Sequence, residues 1–251
     1  SIRGIALVDA GAGSSVAFDQ SGAKFEDLEA ILLTQNSAKQ TSDLPAYLTF
    51  KDTGDRKTWL TILGPDGGES SYPSTEDLLQ RIAGPNGVYP SLSGLLSERK
   101  LNQFKVRAVP VPSLGNRIWA KFRRASFKLS AVAINHGEIP AIAWRVELAG
   151  QSIVFAGAFN NDKDVIRNFA KNADALIVEH SIPEVSRGRL REVYALPSAL
   201  GKVASQADAR MLILAARTNR TRGRESLSRQ AIEKSYDGPV LFGNDEECWG
   251  L

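Results

Sequence analysis

Two stretches, Leu7–Ser15 (LVDAGAGSS) and Leu28–Leu48 (LEAILLTQNSAKQTSDLPAYL), set the terms for reading the chain. In the first, the apolar run Ile5–Val8 stops at Asp9 and a glycine-containing turn, as a short buried strand does. In the second, Ile31–Leu33 is another apolar run, ending at the polar segment that starts with Thr34. Leu44, Tyr47 and Leu48 then recur at helical spacing after a Thr-Ser-Asp start, so a helix is expected between Gln40 and Phe50. Gly11-Ala12-Gly13 follows a strand as a dinucleotide loop would, but Val16 stands where its third glycine belongs. No acidic residue ends the next strand to hold a ribose, so a nucleotide site is not the reading.

Outward from there, Trp59–Leu63 reads as a strand stopped by Gly64-Pro65, Ser74-Thr75-Glu76 opens a helix to about Ile82, and Gly84–Gly94 reads as a long loop. From Phe104 to Phe155 the period changes to two, in FKVRAV, IWAKF, FKLSAVAI, AIAWRVEL and SIVFA. These are expected to be successive antiparallel strands, with Ala149-Gly150 as a hairpin turn. Helix and strand then alternate: helices over 163–171, Ser198–Gln206 and Arg224–Lys234, and strands at Ala175–Val178, Met211–Leu214 and Pro239–Phe242. No linker interrupts this order. The expectation is an α/β fold, residues 1–251 forming a single domain with helices covering sheets.

Composition excludes several classes. The chain has 251 residues, 43% hydrophobic and 24% charged, so global disorder is excluded. No apolar run reaches the length of a membrane-spanning helix, and no signal peptide is visible in the chain as given. One cysteine, Cys248, cannot form an intrachain disulfide or a cysteine-based zinc site. A net charge of +3 does not point to nucleic acid. The arginines are nonetheless uneven: Arg217, Arg220, Arg222, Arg224 and Arg229 lie close together, and Lys121, Arg123, Arg124 and Lys128 form a second basic segment. Both read as solvated surface. Serine–lysine spacings occur only at the frequency composition gives, and no G-x-S-x-G occurs, so a serine hydrolase is not indicated.

The two opening stretches, with LTILGPDGG at Leu60–Gly68, NHGEIPAIAWRVELAGQSIVFAGAFNN at Asn135–Asn161, ADALIVEH at Ala173–His180 and MLILAARTNRTRGRE at Met211–Glu225, resemble the metallo-β-lactamase superfamily. The likeness is to its ribonuclease Z-like and arylsulfatase-like members, and it runs nearly the whole chain in order. It implies a four-layer αβ/βα sandwich. Members carry a strand or hairpin before the LVDAG segment that this chain lacks; the resemblance therefore implies a sheet edge left for a partner chain, or a starting segment removed.

What the resemblance implies for chemistry departs from the family. Members hold two metal ions through H-x-H-x-D-H, a later histidine, a bridging aspartate and a final histidine. The positions matching the first motif are Gln35, Ser37, Lys39 and Gln40. His136 matches the later histidine, Ala158 the bridging aspartate and Ala216 the final histidine; Tyr194 stands where a further assisting histidine belongs. Zinc favours imidazole, a dinuclear centre needs about seven nitrogen and oxygen donors, and the chain has two histidines, His136 and His180. Lys39 would repel a cation. The expectation is therefore no metal, no cofactor and no catalytic residue. His136 is read as a former ligand now hydrogen-bonded, and His180, Asp9 and Asp43 as structural. Lys39 is expected either to turn to solvent or to find an anionic or carbonyl partner. Gln35, Ser37 and Gln40 are expected to form a hydrogen-bonded plug around His136.

Three functions follow. The leading one is a catalytically inactive binding or assembly subunit that forms a homo-oligomer or pairs with a homologous subunit. The second is a hydrolase of phosphodiester, sulfate-ester or lactone type using His136 as base. The third is an anion or nucleic-acid binder through Arg217–Arg229.

Overall fold

The computed structural model describes residues 4–50, 58–97, 104–162 and 164–250. They divide into two compact units, residues 1–113 and 114–251.

The first unit is built on a parallel sheet in the order β1-β2-β3-β4: Ile5–Val8, Leu28–Leu32, Trp59–Pro65 and Lys105–Val111. Parallel neighbours need crossover connections, and these carry helices α1 (Ser14–Gln20), α2 (Ala38–Thr41), α3 (Leu44–Thr49) and α4 (Thr75–Ala83). Leu28, Ala30, Ile31 and Leu32 of β2 are all fully buried, which is why that strand reads as a continuous apolar run rather than an alternating one. Leu44, Tyr47 and Leu48 of α3 are buried in the same core. Phe18, Phe25, Phe50, Phe104 and Tyr47 pack there edge to face or tilted, with ring centroids 5.3–6.5 Å apart. Helix α4 starts as the sequence indicates. Ser74 accepts the Asp77 N–H at 3.0 Å, a side-chain N-cap that satisfies one of the helix's open donors.

The second unit holds a mixed sheet in the order β11-β10-β9-β8-β7-β6-β5. Strands β5 (Trp119–Arg123), β6 (Lys128–Ile134), β7 (Ala141–Leu148) and β8 (Gln151–Gly157) are antiparallel. Strands β9 (Ala175–Glu179), β10 (Leu212–Ala215) and β11 (Val240–Phe242) continue from β8 in parallel. Ala149 and Gly150 form the β7–β8 turn with φ of 50° and 83°, the left-handed pair a two-residue hairpin requires. Helices α5 (Val165–Phe169), α6 (Leu190–Val193), α7 (Pro197–Gln206) and α8 (Glu225–Ile232) follow; the first residue of the expected 163–171 helix lies outside the described residues.

Two expectations are corrected. FKVRAV is not the first of the antiparallel set: it is β4, paired parallel with β3 from Trp59↔Lys105 to Pro65↔Val111. Alternation reports a half-buried strand and carries no information about its partner. Gly84–Gly94 is not loop throughout, because Pro90–Leu95 is a 3₁₀ helix that buries Leu92 and Leu95.

Candidate functional site

In the first unit the residues after β1 and β2 are tied together. Asp9, at φ 60°, accepts the Thr34 N–H at 2.7 Å and the Thr34 hydroxyl at 2.8 Å. Ala10 N–H donates to the Gln40 carbonyl at 2.7 Å, and Asp43 N–H donates to the Ala10 carbonyl at 2.9 Å. A Cβ on Gly11 would stand 2.5 Å from the Lys39 carbonyl oxygen, so only glycine fits there. Asp43 does not cap its own helix; its carboxylate accepts the Ser15 N–H at 3.0 Å and hydroxyl at 2.9 Å at the start of α1. Both aspartates serve the backbone.

This clamp presents the segment that follows Thr34. Gln35 and Gln40 are buried. The Ser37 hydroxyl donates to Gln40 Oε1 at 2.5 Å, with Gln35 Oε1 at 3.4 Å. Gln35 Nε2 is buried with no hydrogen-bond partner among the described residues. Lys39 is exposed to solvent. The structure thus brings Gln35, Ser37 and Gln40 into one polar cluster. Asn36, which the sequence reading passed over, is the anchor beside it: Nδ2 donates to the carbonyls of Pro65 and Pro73, both at 3.0 Å, and faces Thr75 Oγ1 at 3.2 Å. Its partners lie far along the chain, and no local signal marks them.

In the second unit His136 follows β6. Its Nδ1 lies 2.7 Å from the Val193 carbonyl oxygen. A carbonyl only accepts, so Nδ1 carries a proton, and in the neutral ring the lone pair is then on Nε2. The ring meets Tyr194 edge-on at 5.2 Å, so these two expected residues do come together. The α6 end that supplies Val193 and Tyr194 is pinned by Asn160, whose Nδ2 donates to the Glu192 carbonyl at 2.5 Å and to Asp162 at 2.7 Å. Ala158 is buried after β8; Ala216, at φ 49°, is exposed after β10. Neither has a side-chain donor atom. His180 is fully buried after β9, with Nε2 2.9 Å from Ser228 Oγ, and burial pushes its pKa down to about 4.

The basic stretch is partly consumed by structure. Arg217 pairs with Glu225 at 2.6 Å and bonds Asn244, while Arg229 donates to the Val240 carbonyl at 2.9 Å and lies over the Phe242 ring. Arg220, Arg222 and Arg224 are exposed.

These side chains do not fit a dinuclear zinc centre. Gln35 and Gln40 offer neutral amide oxygens that face the Ser37 hydroxyl, Lys39 carries positive charge, and Ala158 and Ala216 offer nothing. Among the described residues no group of three or more histidine, cysteine, aspartate or glutamate side chains is placed to hold a metal ion.

No family model matches the chain. A ribonuclease Z from Lachnospira eligens is 36% identical over 61 residues, a match covering 24% of this chain and 20% of that protein. Over nearly the full length the fold is similar to that of YhfI, a metallo-β-lactamase fold protein from Bacillus subtilis, with a TM-score of 0.71 at 19% identity, covering 99% of this chain and 88% of that one. The chain has the metallo-β-lactamase fold. The short form of human tRNase Z gives the same TM-score, 0.71, at 17% identity, covering 98% of this chain and 88% of that chain. At these identities the likeness is one of fold. A fold does not fix a function, which has to be argued from the side chains of a site.

Proposed function

We propose that this chain is a metallo-β-lactamase-fold protein that has lost its dinuclear metal site and acts as a binding or assembly subunit. The observation that carries this reading is the Gln35–Ser37–Gln40 cluster. Where zinc would need anionic or imidazole donors, a serine hydroxyl donates to one glutamine and lies near the other. Without the metal, no bound water has its pKa lowered toward 7, so the usual attacking hydroxide is not generated. As an assembly subunit the protein pairs with a second copy or with a homologous chain, and a native mass spectrum of the purified protein and of its source extract is expected to show that complex. A monomer alone in both would remove the assembly half of the proposal.

The hydrolase reading keeps one observation in its favour. The Val193 carbonyl holds a proton on His136 Nδ1, so in the neutral ring Nε2 is the nitrogen that could act as a general base. Phosphodiester, sulfate-ester and lactone substrates assayed with and without chelator separate the two readings. No turnover in either arm is expected. Chelator-sensitive turnover by the pure protein would overturn the metal-free reading, and chelator-insensitive turnover lost in His136→Ala would favour the hydrolase.

A further inference from the structure

The basic segment Lys121–Lys128 has no part in the function proposed above, yet its residues from Arg123 onward wall a cavity of ≈ 630 Å³ in the second unit. Three connections form it: the β5–β6 turn, the β7–β8 turn, and the stretch from Asn172 to Asp174 that leads into β9. Strands β6, β8 and β9 start at this end of the sheet, whereas His136, Ala158 and His180 follow their far ends. With strands rising about 3.3 Å per residue, seven-residue β6 and β8 put roughly 20 Å between the two ends. The cavity is therefore separate from the positions that follow those strands.

Its charged lining is Arg123, Arg124, Lys128 and Arg145 against Glu147 and Asp174, four cations to two carboxylates. Asp174 is already engaged, accepting the Ser152 N–H at 2.8 Å and facing Arg210 at 3.5 Å. Glu147 stands opposite Lys128 in the β6–β7 ladder. Arg145 is the fixed element. Its guanidinium donates to the carbonyls of Phe169 and Lys171, both at 3.1 Å, and to the Ser152 hydroxyl at 2.9 Å. All three acceptors are neutral, and Arg145 forms no ion pair among the described residues, so a half-buried, oriented charge faces the cavity without compensation. Arg124 is likewise positioned, with its guanidinium 4.2 Å from the Phe122 ring centroid.

We infer that this cavity binds the phosphate group of a small phosphate monoester, of about the size of a nucleotide or sugar phosphate. A planar guanidinium held by its own hydrogen bonds is pre-organised to grip a phosphate oxygen pair. The volume exceeds what a lone phosphate needs and falls in the range of small-molecule sites. Ser126, Gln151 and Asn172 make part of the remaining lining polar and neutral.

Calorimetric titration with AMP, inorganic phosphate and a single-stranded oligonucleotide tests this on the intact chain. Saturable AMP binding is expected, competed by phosphate and weakened by salt, with Arg145→Gln reducing affinity about tenfold. Because Arg145 also ties two carbonyls, a second variant, Arg123→Gln/Arg124→Gln, changes an exposed side chain at the end of β5 and a half-buried one in the turn after it, and is expected to weaken AMP severalfold with little change in melting temperature. Absence of AMP and phosphate binding up to about 10 mM, wild-type affinity in both variants, or binding of the oligonucleotide alone would each overturn the inference. None of these results bears on zinc content, so the two proposals fail independently.

Discussion

His180 sits at the end of β9 with one ring nitrogen on Ser228 and the other, Nδ1, buried without a partner among the described residues. Burial dominates its titration: Glu225 favours the charged ring and Arg217 opposes it, but desolvation is the larger cause and lowers the pKa from 6.5 to about 4. The unfolded chain therefore takes up a proton before the folded one does. Stability from this group is fully present above about pH 6.5 and is lost as pH falls from there toward 4. Between about pH 7 and pH 5 the loss is roughly 2 kcal/mol, readable from urea midpoints. A His180→Gln variant is expected to lose most of that pH dependence; an unchanged slope would show that other groups carry it. At the metal-type positions the arithmetic is stricter. Combining Gln35→His, Ser37→His, Lys39→Asp and Gln40→His restores one ligand motif but leaves Ala158 and Ala216 without donors. Calorimetry on that variant is expected to show no tight binding of two zinc ions, and tight binding of two would refute the assignment of these positions.

Among elements, α7 and α8 approach each other closely at Gly201. A Cβ on Gly201 would stand 2.6 Å from the Ile232 carbonyl oxygen and 2.8 Å from its Cα, both backbone atoms that cannot swing aside. Gly201→Ala is therefore expected to cost about 1–3 kcal/mol, seen as a lower denaturation midpoint at unchanged slope. An unaffected midpoint would mean the two helices separate freely. Which elements were legible follows from the range of their causes. The Ala149-Gly150 hairpin, the Ser74 cap and the buried run of β2 are specified by residues within a few positions, and the sequence displays them. The sheet to which β4 belongs is decided by a partner 46 residues away, and a period-two pattern cannot report it. The site divides in the same way. Positions 35, 37, 39 and 40 come from the resemblance, which sets a family motif directly after a strand. The anchoring of Asn36 on Pro65 and Pro73 and of His136 on Val193 spans 29 to 57 residues and becomes visible only in the fold.

At the scale of the molecule, each unit has its own hydrophobic cluster, and in each, residues after the strand ends are held by polar bonds to backbone groups. The fold is the metallo-β-lactamase fold, while the side chains at the positions proposed to match its metal ligands end in amides, a hydroxyl, an ammonium and two methyl groups, with one imidazole. The central claim is thus a statement about stoichiometry. Elemental analysis of the purified protein, after exposure to zinc and exhaustive dialysis, measures it directly. The account predicts zinc well below one equivalent per chain; two equivalents retained through dialysis would contradict it.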